Sequence, residues 1–472
     1  MLKNFIRGFV VLVALVSSFL LCEKVFMIKS EDGIEQMKSY YLQKENTVDV
    51  LLIGSSHIYC NVNTGTLWDN YGMSAFDLGG AEQPYWNSYY FIKEALKTQR
   101  PKVIVMSVTI PGIRFDDYQS EAWLMTNLYG MHWNKNRLDN NKVSTLPDSY
   151  WRLLFPINTI HSRYTDLKKD DFIDKNYDIS YKGFDLRSTI VPFERPDITN
   201  VTDVTPMTEK QEKYLRKIIQ LTKEENVPLL LVSVPYVVSE DAQKIYNYEF
   251  QIAQEEGIDY IDFNKCYDDY GIDFATDMAE ELHLNISGSA KFTKYLGQCL
   301  KDRYDIADHR GDALYSSWDE DALIQRLEIN CANMGYATDI NKYLELANNE
   351  NYITYFDCQN VESDMLDASV KANINKFGID AEQITNGYVA LTCGGKQIFN
   401  SNSGQDSAFV DEGVDKILLK STPDSGSTLY VNEDGYKNVT GAMCIIVYDR
   451  VLDKVISYVS YNPYDNTVSR FI

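Results

Sequence analysis

Cysteine pairing motifs are missing from this sequence. Its eight cysteines stand singly at positions 22, 60, 266, 299, 331, 358, 393 and 444, with no C-x-x-C pair and no cluster of cysteine with histidine. That argues against a structural zinc site, and no other metal or cofactor motif is present. Cys22 falls in the N-terminal apolar segment, so the body holds an odd seven and cannot pair all of them; one or two disulfides remain open. Histidine is scarce, with five residues at 57, 132, 161, 283 and 309. Positive charge is in deficit: 45 Lys+Arg stand against 68 Asp+Glu, a net charge of -23. Such a chain repels a phosphate backbone, which argues against nucleic acid as a partner. The acidic residues are spread along the chain, and a solvated acidic surface is their simplest meaning.

The clearest long hydrophobic run lies at the N-terminus, where Lys3 and Arg7 precede Gly8-Phe-Val-Val-Leu-Val-Ala-Leu-Val-Ser-Ser-Phe-Leu-Leu-Cys22. The run falls short of the ~20 residues that usually span a bilayer. Phe5 and Ile6 extend it if Arg7 snorkels. Basic residues ahead of it place that end in the cytoplasm and the body outside. A single-pass anchor over residues 1–28 is the preferred expectation. A cleaved signal peptide, with Val16-Ser-Ser18 as its processing site, is the alternative, and both export the body. A lipoprotein reading is weaker, because Leu20 and Leu21 precede Cys22 where small residues are wanted.

At 472 residues the chain exceeds one core, and two domains are expected. Residues 29–47 are polar and suit a stalk or leading helix. Strands are read at Val48–Gly54, Ser74–Gly80, Lys102–Val108, Pro228–Val234 and Ile258–Phe263. Helices fall between them at Pro84–Leu96, Met207–Leu221 and Ser239–Glu256, and a closing helix follows at Ser287–Leu300. Alternation of this kind implies a parallel sheet covered on both faces. From Ile110 to about Pro206 the rhythm breaks, in an irregular and partly helical insertion rich in Tyr, Trp, Asn and Asp. Its aromatic residues either build a core or stack on sugar rings. A charged link follows over 303–319. From about 320 to 472 the texture is β-rich, with a helix at Ser363–Lys376 and strands at Gly387–Thr392, Asp415–Lys420, Gly441–Asp449 and Val451–Tyr461.

Loops at the carboxyl ends of parallel strands converge on one crevice. Gly54-Ser-Ser-His57, Gly79-Gly80 and the loop leading to His283 all sit at such ends. A nucleophilic serine needs a base, a group to hold that base, and N–H donors for the oxyanion. Ser56 on a strand-to-helix turn suits the first role, His283 the second, and the carboxylates at 277, 280 and 281 the third. The plain alternative is that Ser55 or Ser56 only caps a helix. His57 adjoins the serine, but neighbouring side chains on a turn diverge, which leaves it a structural or substrate-contact role.

Gly-Ser-Ser-His near the N-terminus, Asp77-Leu-Gly-Gly-Ala-Glu-Gln83 and the late His283-Leu-Asn-x-x-Gly288 resemble the SGNH/GDSL hydrolase superfamily. Within it the chain is most similar to the exported DltD-like and polysaccharide O-acetyltransferase-like branches, over about residues 46 to 302. The resemblance implies a flavodoxin-like three-layer sandwich across 29–302, Ser56 as nucleophile and His283 as base. It also implies the N–H groups of Ser56 and Gly80 as part of the oxyanion hole. Two departures stand out. The family's aspartate three residues before the histidine is Glu280 here, with Asp277 as the alternative acid. The Gly-x-Asn-Asp block is replaced by Ser107-Val-Thr-Ile-Pro-Gly112, so Gln83 or a residue of the insertion is the expected substitute donor.

In the C-terminal region, the helix from Ser363, the strand from Gly387 and above all Gly441-Ala-Met-Cys-Ile-Ile-Val-Tyr-Asp449 with Val455-Ile-Ser-Tyr-Val459 resemble the interleukin-like EMT inducer (ILEI/PANDER-like) domain. That implies a compact β-sandwich-like module with a binding or spacing role. The whole then reads as an exported, membrane-tethered serine esterase or O-acyltransferase, without cofactor. It would act on acyl, foremost acetyl, groups of a cell-envelope polysaccharide, with a membrane-bound O-acyltransferase as a further partner if it transfers rather than hydrolyses. A non-catalytic glycan-binding protein on the same scaffold is the rival, and a protease lacks any indicated peptide cleft.

Overall fold

The computed structural model describes residues 2–28, 32–108, 120–172, 180–401, 407–411, 417–422 and 426–472. The chain divides into two compact units, Met1–Leu323 and Ile324–Ile472.

In the first unit β1 (Val50–Gly54), β2 (Ala75–Gly79), β3 (Val103–Ser107), β4 (Leu229–Ser233) and β5 (Asp259–Asp262) form one parallel sheet in the order β2-β1-β3-β4-β5. Chemistry and geometry agree on why. Each of β1 to β4 is apolar at nearly every position and wholly buried, as a strand covered on both faces must be. The pleat then sorts alternate residues: Leu51, Ile53, Ile104 and Met106 enter one core, while Val50, Leu52, Val103 and Val105 enter the other. Helices Tyr85–Ala95, Glu209–Glu224 and Glu240–Glu256 supply the first core; Thr64–Tyr71 and Ile286–Arg303 supply the second. The result is a three-layer α/β sandwich. Its helices are capped as their sequences suggest, with Ser239 accepting from Ala242 N and Gly257 taking a left-handed φ of 66° at the far end.

Of the stalk or leading helix expected over residues 29–47, the helix is present: Ile34–Tyr40, whose Met37 and Tyr40 join the core. Residues 303–319 are not a free link, because Tyr315 and Trp318 are buried in the first core and His309 Nε2 lies 2.8 Å from Asp49 Oδ2. The insertion between residues 120 and 172 is chiefly helical, with helices at Glu121–Tyr129, Lys135–Ser144, Tyr150–Leu154 and Ile157–Ile160. Residues 184–206, by contrast, run without a regular element.

Among the described residues one helix, α1 (Leu2–Phe26), is long and apolar enough to cross a membrane, and it lies near the N-terminus. Length and composition of this kind fit a signal anchor or a signal sequence.

The second unit is antiparallel. A six-stranded sheet takes the order β15-β14-β13-β6-β7-β8, and a four-stranded sheet the order β12-β11-β10-β9. Here β6 is Tyr352–Cys358, β7 Tyr388–Cys393, β8 Lys396–Ser401, β9 Ser407–Asp411, β10 Ile417–Thr422 and β11 Gly426–Val431. The last four are β12 (Asp434–Lys437), β13 (Met443–Asp449), β14 (Lys454–Asn462) and β15 (Thr467–Arg470). Ile353, Leu391 and Ile446 of one sheet share a core with Leu419, Leu429 and Val431 of the other, so the two sheets pack face to face. The helix expected at 363–376 is shorter, Ala368–Asn375, with Asp367 capping it. None of the eight cysteines is in a disulfide.

Candidate active site

In an open parallel sheet the strand order reverses between the first strand and its neighbours, and the crevice lies outside the carboxyl ends there. β1 delivers Gly54-Ser55-Ser56 to that point. A side chain at Gly54 would place its Cβ 2.2 Å from Ser107 Oγ on β3, and one at Gly79 would lie 2.5 Å from the Gly54 carbonyl oxygen. Only glycine lets the three strand ends approach this closely. Ser55 is the cap of the short helix α2 (Ser56–Tyr59), its Oγ accepting from His57 N at 3.4 Å. Ser56 is therefore the first helical residue, half-buried, with an N–H that no intrahelical carbonyl reaches. Capping thus falls to Ser55 and leaves Ser56 free of that duty.

His283 is carried by a tight turn. Met278 and Leu284 form an antiparallel bridge, Ala279 N donates to the His283 carbonyl at 2.9 Å, and the turn sets Glu280 Oε1 2.8 Å from His283 Nδ1. That contact assigns the proton on the imidazole to Nδ1 and leaves Nε2 as the acceptor. His283 Nε2 is buried and has no hydrogen-bond partner among the described residues, so the bond from Ser56 Oγ is not made in this structure. Burial holds the His283 imidazole below its ordinary range, while the Glu280 contact pulls the other way.

Two sets of hydrogen bonds bring this turn to α2. Asn61 Oδ1 accepts from Leu284 N at 2.7 Å, and Asn63 N donates to Thr293 Oγ1 at 2.8 Å. The second set was invisible in the sequence. An extended strap from Asp185 to Phe193 donates Asp185 N to the Tyr59 carbonyl at 2.7 Å and receives Ile286 N on the Arg187 carbonyl at 2.8 Å. Further along, Val191 N reaches the Met278 carbonyl at 2.9 Å. The strap so ties the serine helix to the histidine loop. It also sets the Arg187 guanidinium, in an ion pair of 2.6 Å with Asp185, within electrostatic reach of His283 and beside Cys60, one turn beyond Ser56. Arg187 Nε is buried and has no partner among the described residues. Nothing in the local pattern around residue 187 signals this role; only the fold brings it in.

The remaining expected residues separate. Asp277 does not reach His283. It is fully buried and accepts from Ser287 Oγ at 2.8 Å, Lys291 Nζ at 2.6 Å and Asp273 N at 2.8 Å. Its role is to clamp the loop to the helix Ile286–Arg303. Gly80 N donates to the Gly54 carbonyl at 3.3 Å, so that N–H is engaged in the sheet rather than open as an oxyanion donor. Gln83 is buried and its Nε2 donates to Ser88 Oγ at 3.1 Å. Ser107 is described, with a buried Oγ that has no partner among the described residues; residues 109–112 of the segment in place of the Gly-x-Asn-Asp block lie outside the described residues. Glu281 is exposed, its carbonyl accepting from Val237 N at 3.1 Å.

No family model matches the chain, and no curated protein does either.

His57 packs between Tyr236 and His283, with ring centroids 4.7 and 5.8 Å away. Burial, with His283 adding to it, pushes its imidazole down to about 3, so it stands neutral. This is a packing role. Two further carboxyls, in β2 and in the loop after it, are perturbed by burial. Asp77 on β2 is buried with neither oxygen partnered among the described residues, and burial raises it well above the usual carboxylate range. Glu82, in the loop after β2, adopts a left-handed φ of 45°, a strained conformation for a non-glycine residue, and burial pushes it up to about 6.

Proposed function

We propose that this protein is an exported, membrane-tethered serine esterase or O-acyltransferase of the SGNH type, acting on acyl groups, acetyl foremost, of a cell-envelope polysaccharide. The observation that carries the reading is the His283 imidazole: Nδ1 on Glu280, Nε2 without a partner among the described residues, in a loop hydrogen-bonded to the segment that begins at Ser56. Ser56 Oγ attacks the acyl carbonyl carbon while His283 Nε2 takes the hydroxyl proton. That proton then passes to the departing sugar oxygen as the ester bond breaks. Water, or a second sugar hydroxyl, repeats the steps in reverse on the acyl-enzyme. Glu280 orients the imidazole and offsets its positive charge, and Ser56 N–H faces the developing oxyanion. In the transferase case a membrane-bound O-acyltransferase supplies the acyl group. The C-terminal β-sandwich, read as an ILEI-like module, binds or spaces.

The test is turnover of acyl esters, with labelling by a serine-directed phosphonate. Ser56→Ala is expected to lose at least about 10³-fold in kcat and to lose the label; full turnover and unchanged labelling would sink the mechanism. One observation favours a second reading, a non-catalytic glycan binder: the Gly80 N–H and Gln83 amide, expected as oxyanion donors, are both engaged elsewhere. Glycan binding unchanged in Ser56→Ala and His283→Ala, with no ester turnover in the parent, selects it.

A further inference from the structure

The C-terminal end of α1 is built into the helical insertion. Glu23 and Arg137, both buried, lie 3.6 Å apart. Arg163 donates to the carbonyls of Phe26 and Met27, which as the last groups of a helix have no intrahelical donor. Met27 enters a small apolar cluster with Ile34, Leu128, Leu153 and Ile160. The helix therefore leaves the body from a defined place and not from a flexible tether.

That place can be measured along the helix. At about 1.5 Å of rise per residue, Phe19 lies about 4.5 Å inside Cys22, the last residue of the uncharged run. Phe19 meets Phe155 edge to face at 5.7 Å, and Phe155 meets Trp133 at 5.9 Å. When α1 spans a bilayer, Phe155 stands at the outer margin of the hydrocarbon. The exposed large apolar side chains of the insertion include Trp151 at 68%, Tyr164 at 69%, Phe172 at 66% and Leu146 at 56%. Tyr164 and Phe172 sit on turns that pack against α1, and Tyr150 and Trp151 border a cavity of about 430 Å³ with Lys142, Thr145 and Pro147. Rings with an apolar body and a polar tip, at the level where a spanning helix emerges, match the membrane–water interface. Carbohydrate stacking, the sequence-level alternative for these aromatics, explains neither their level nor their contact with α1.

We propose that the surface formed by residues 133–172 is seated in the lipid headgroup region of the bilayer that α1 spans, so that the insertion is a membrane-resting foot. The proposal rests on α1 being a retained anchor and is independent of the catalytic assignment.

Full-length protein is reconstituted in nanodiscs of phosphatidylcholine and phosphatidylglycerol carrying lipids brominated near the headgroup end of the acyl chain. Tryptophan quenching is compared in the parent, Trp151→Phe, and the control Trp318→Phe, whose residue is buried in the sheet domain. The expected result is quenching in the parent that falls by about half in Trp151→Phe and is unchanged in the control. Absent quenching, or equal quenching in parent and Trp151→Phe, overturns the proposal, including the case in which another protein is the true occupant. Mass spectrometry of the mature N-terminus separates the two premises. If residues 1–18 are removed, the anchor reading fails and this proposal with it.

Discussion

His283 has one carboxylate partner, the exposed Glu280 and not the buried Asp277. Glu280 reaches Nδ1 because a turn stacks residues 280 and 283, whereas Asp277 is saturated by Lys291, Ser287 and the Asp273 N–H. The two acids should therefore fail in different ways. Glu280→Gln is expected to lower kcat about 10- to 100-fold with the melting temperature kept. Asp277→Asn should cost about 1–3 kcal/mol of stability, read by urea denaturation, with kcat of the folded fraction near the parent's. The opposite pattern would make Asp277 the functional acid. His57 offers a second residue-scale test. Its folded imidazole is held down to about 3, against an ordinary value of about 6.5 in the unfolded chain. Between those values the unfolded state binds a proton that the folded state refuses, so this group's stabilisation is complete above pH 6.5 and is lost as pH falls towards 3. His57→Gln should flatten the pH dependence of stability between pH 7 and 4, as unfolding curves for parent and variant at matched pH would show. Parallel curves would mean that the buried imidazole is not the source.

Among the elements, the strap Asp185–Phe193 and the helix Ser316–Tyr336 carry the main structural lessons. Neither is an elaborated core element by sequence. The strap has no periodicity because its backbone groups bond outwards, to Tyr59, Met278 and Ile286, rather than to a neighbouring strand. The start of Ser316–Tyr336 is charged, yet Trp318 donates from Nε1 to the Ala75 carbonyl at 3.1 Å, and Asp319 accepts from Trp68 Nε1 at 2.8 Å. Lys182, buried, pairs with Asp321 at 2.9 Å. These contacts stabilise the β2 side of the sheet. A truncation ending at residue 302 should therefore melt several degrees below one ending at residue 323, because it exposes Trp68 and orphans Lys182. Equal melting temperatures would show that this stretch is only a connector.

At the scale of the whole molecule, the sequence by itself determined what rests on local chemistry. Its apolar blocks alternating with amphipathic ones specify a parallel α/β sandwich, and its later short strands specify a β-rich second unit; both are present. The N-terminal run, with cations ahead of it, specifies the helix that can cross a membrane. Gly54-Ser55-Ser56 at the end of an apolar strand was legible as a strand-to-helix turn, because glycine and a capping serine mark such a turn in any protein. The spacing to His283 favoured Glu280 over Asp277 in the sequence, and the turn at 280–283 makes that contact while Asp277 is engaged by Ser287, Lys291 and Asp273 N. Tertiary structure alone decided that Gly80 N–H is spent within the sheet, which depends on strand register. It also decided that Arg187 lies near Cys60 and His283, and that Phe155 meets Phe19. Those partners are far apart in the chain, and contacts of that range leave no periodic trace in sequence.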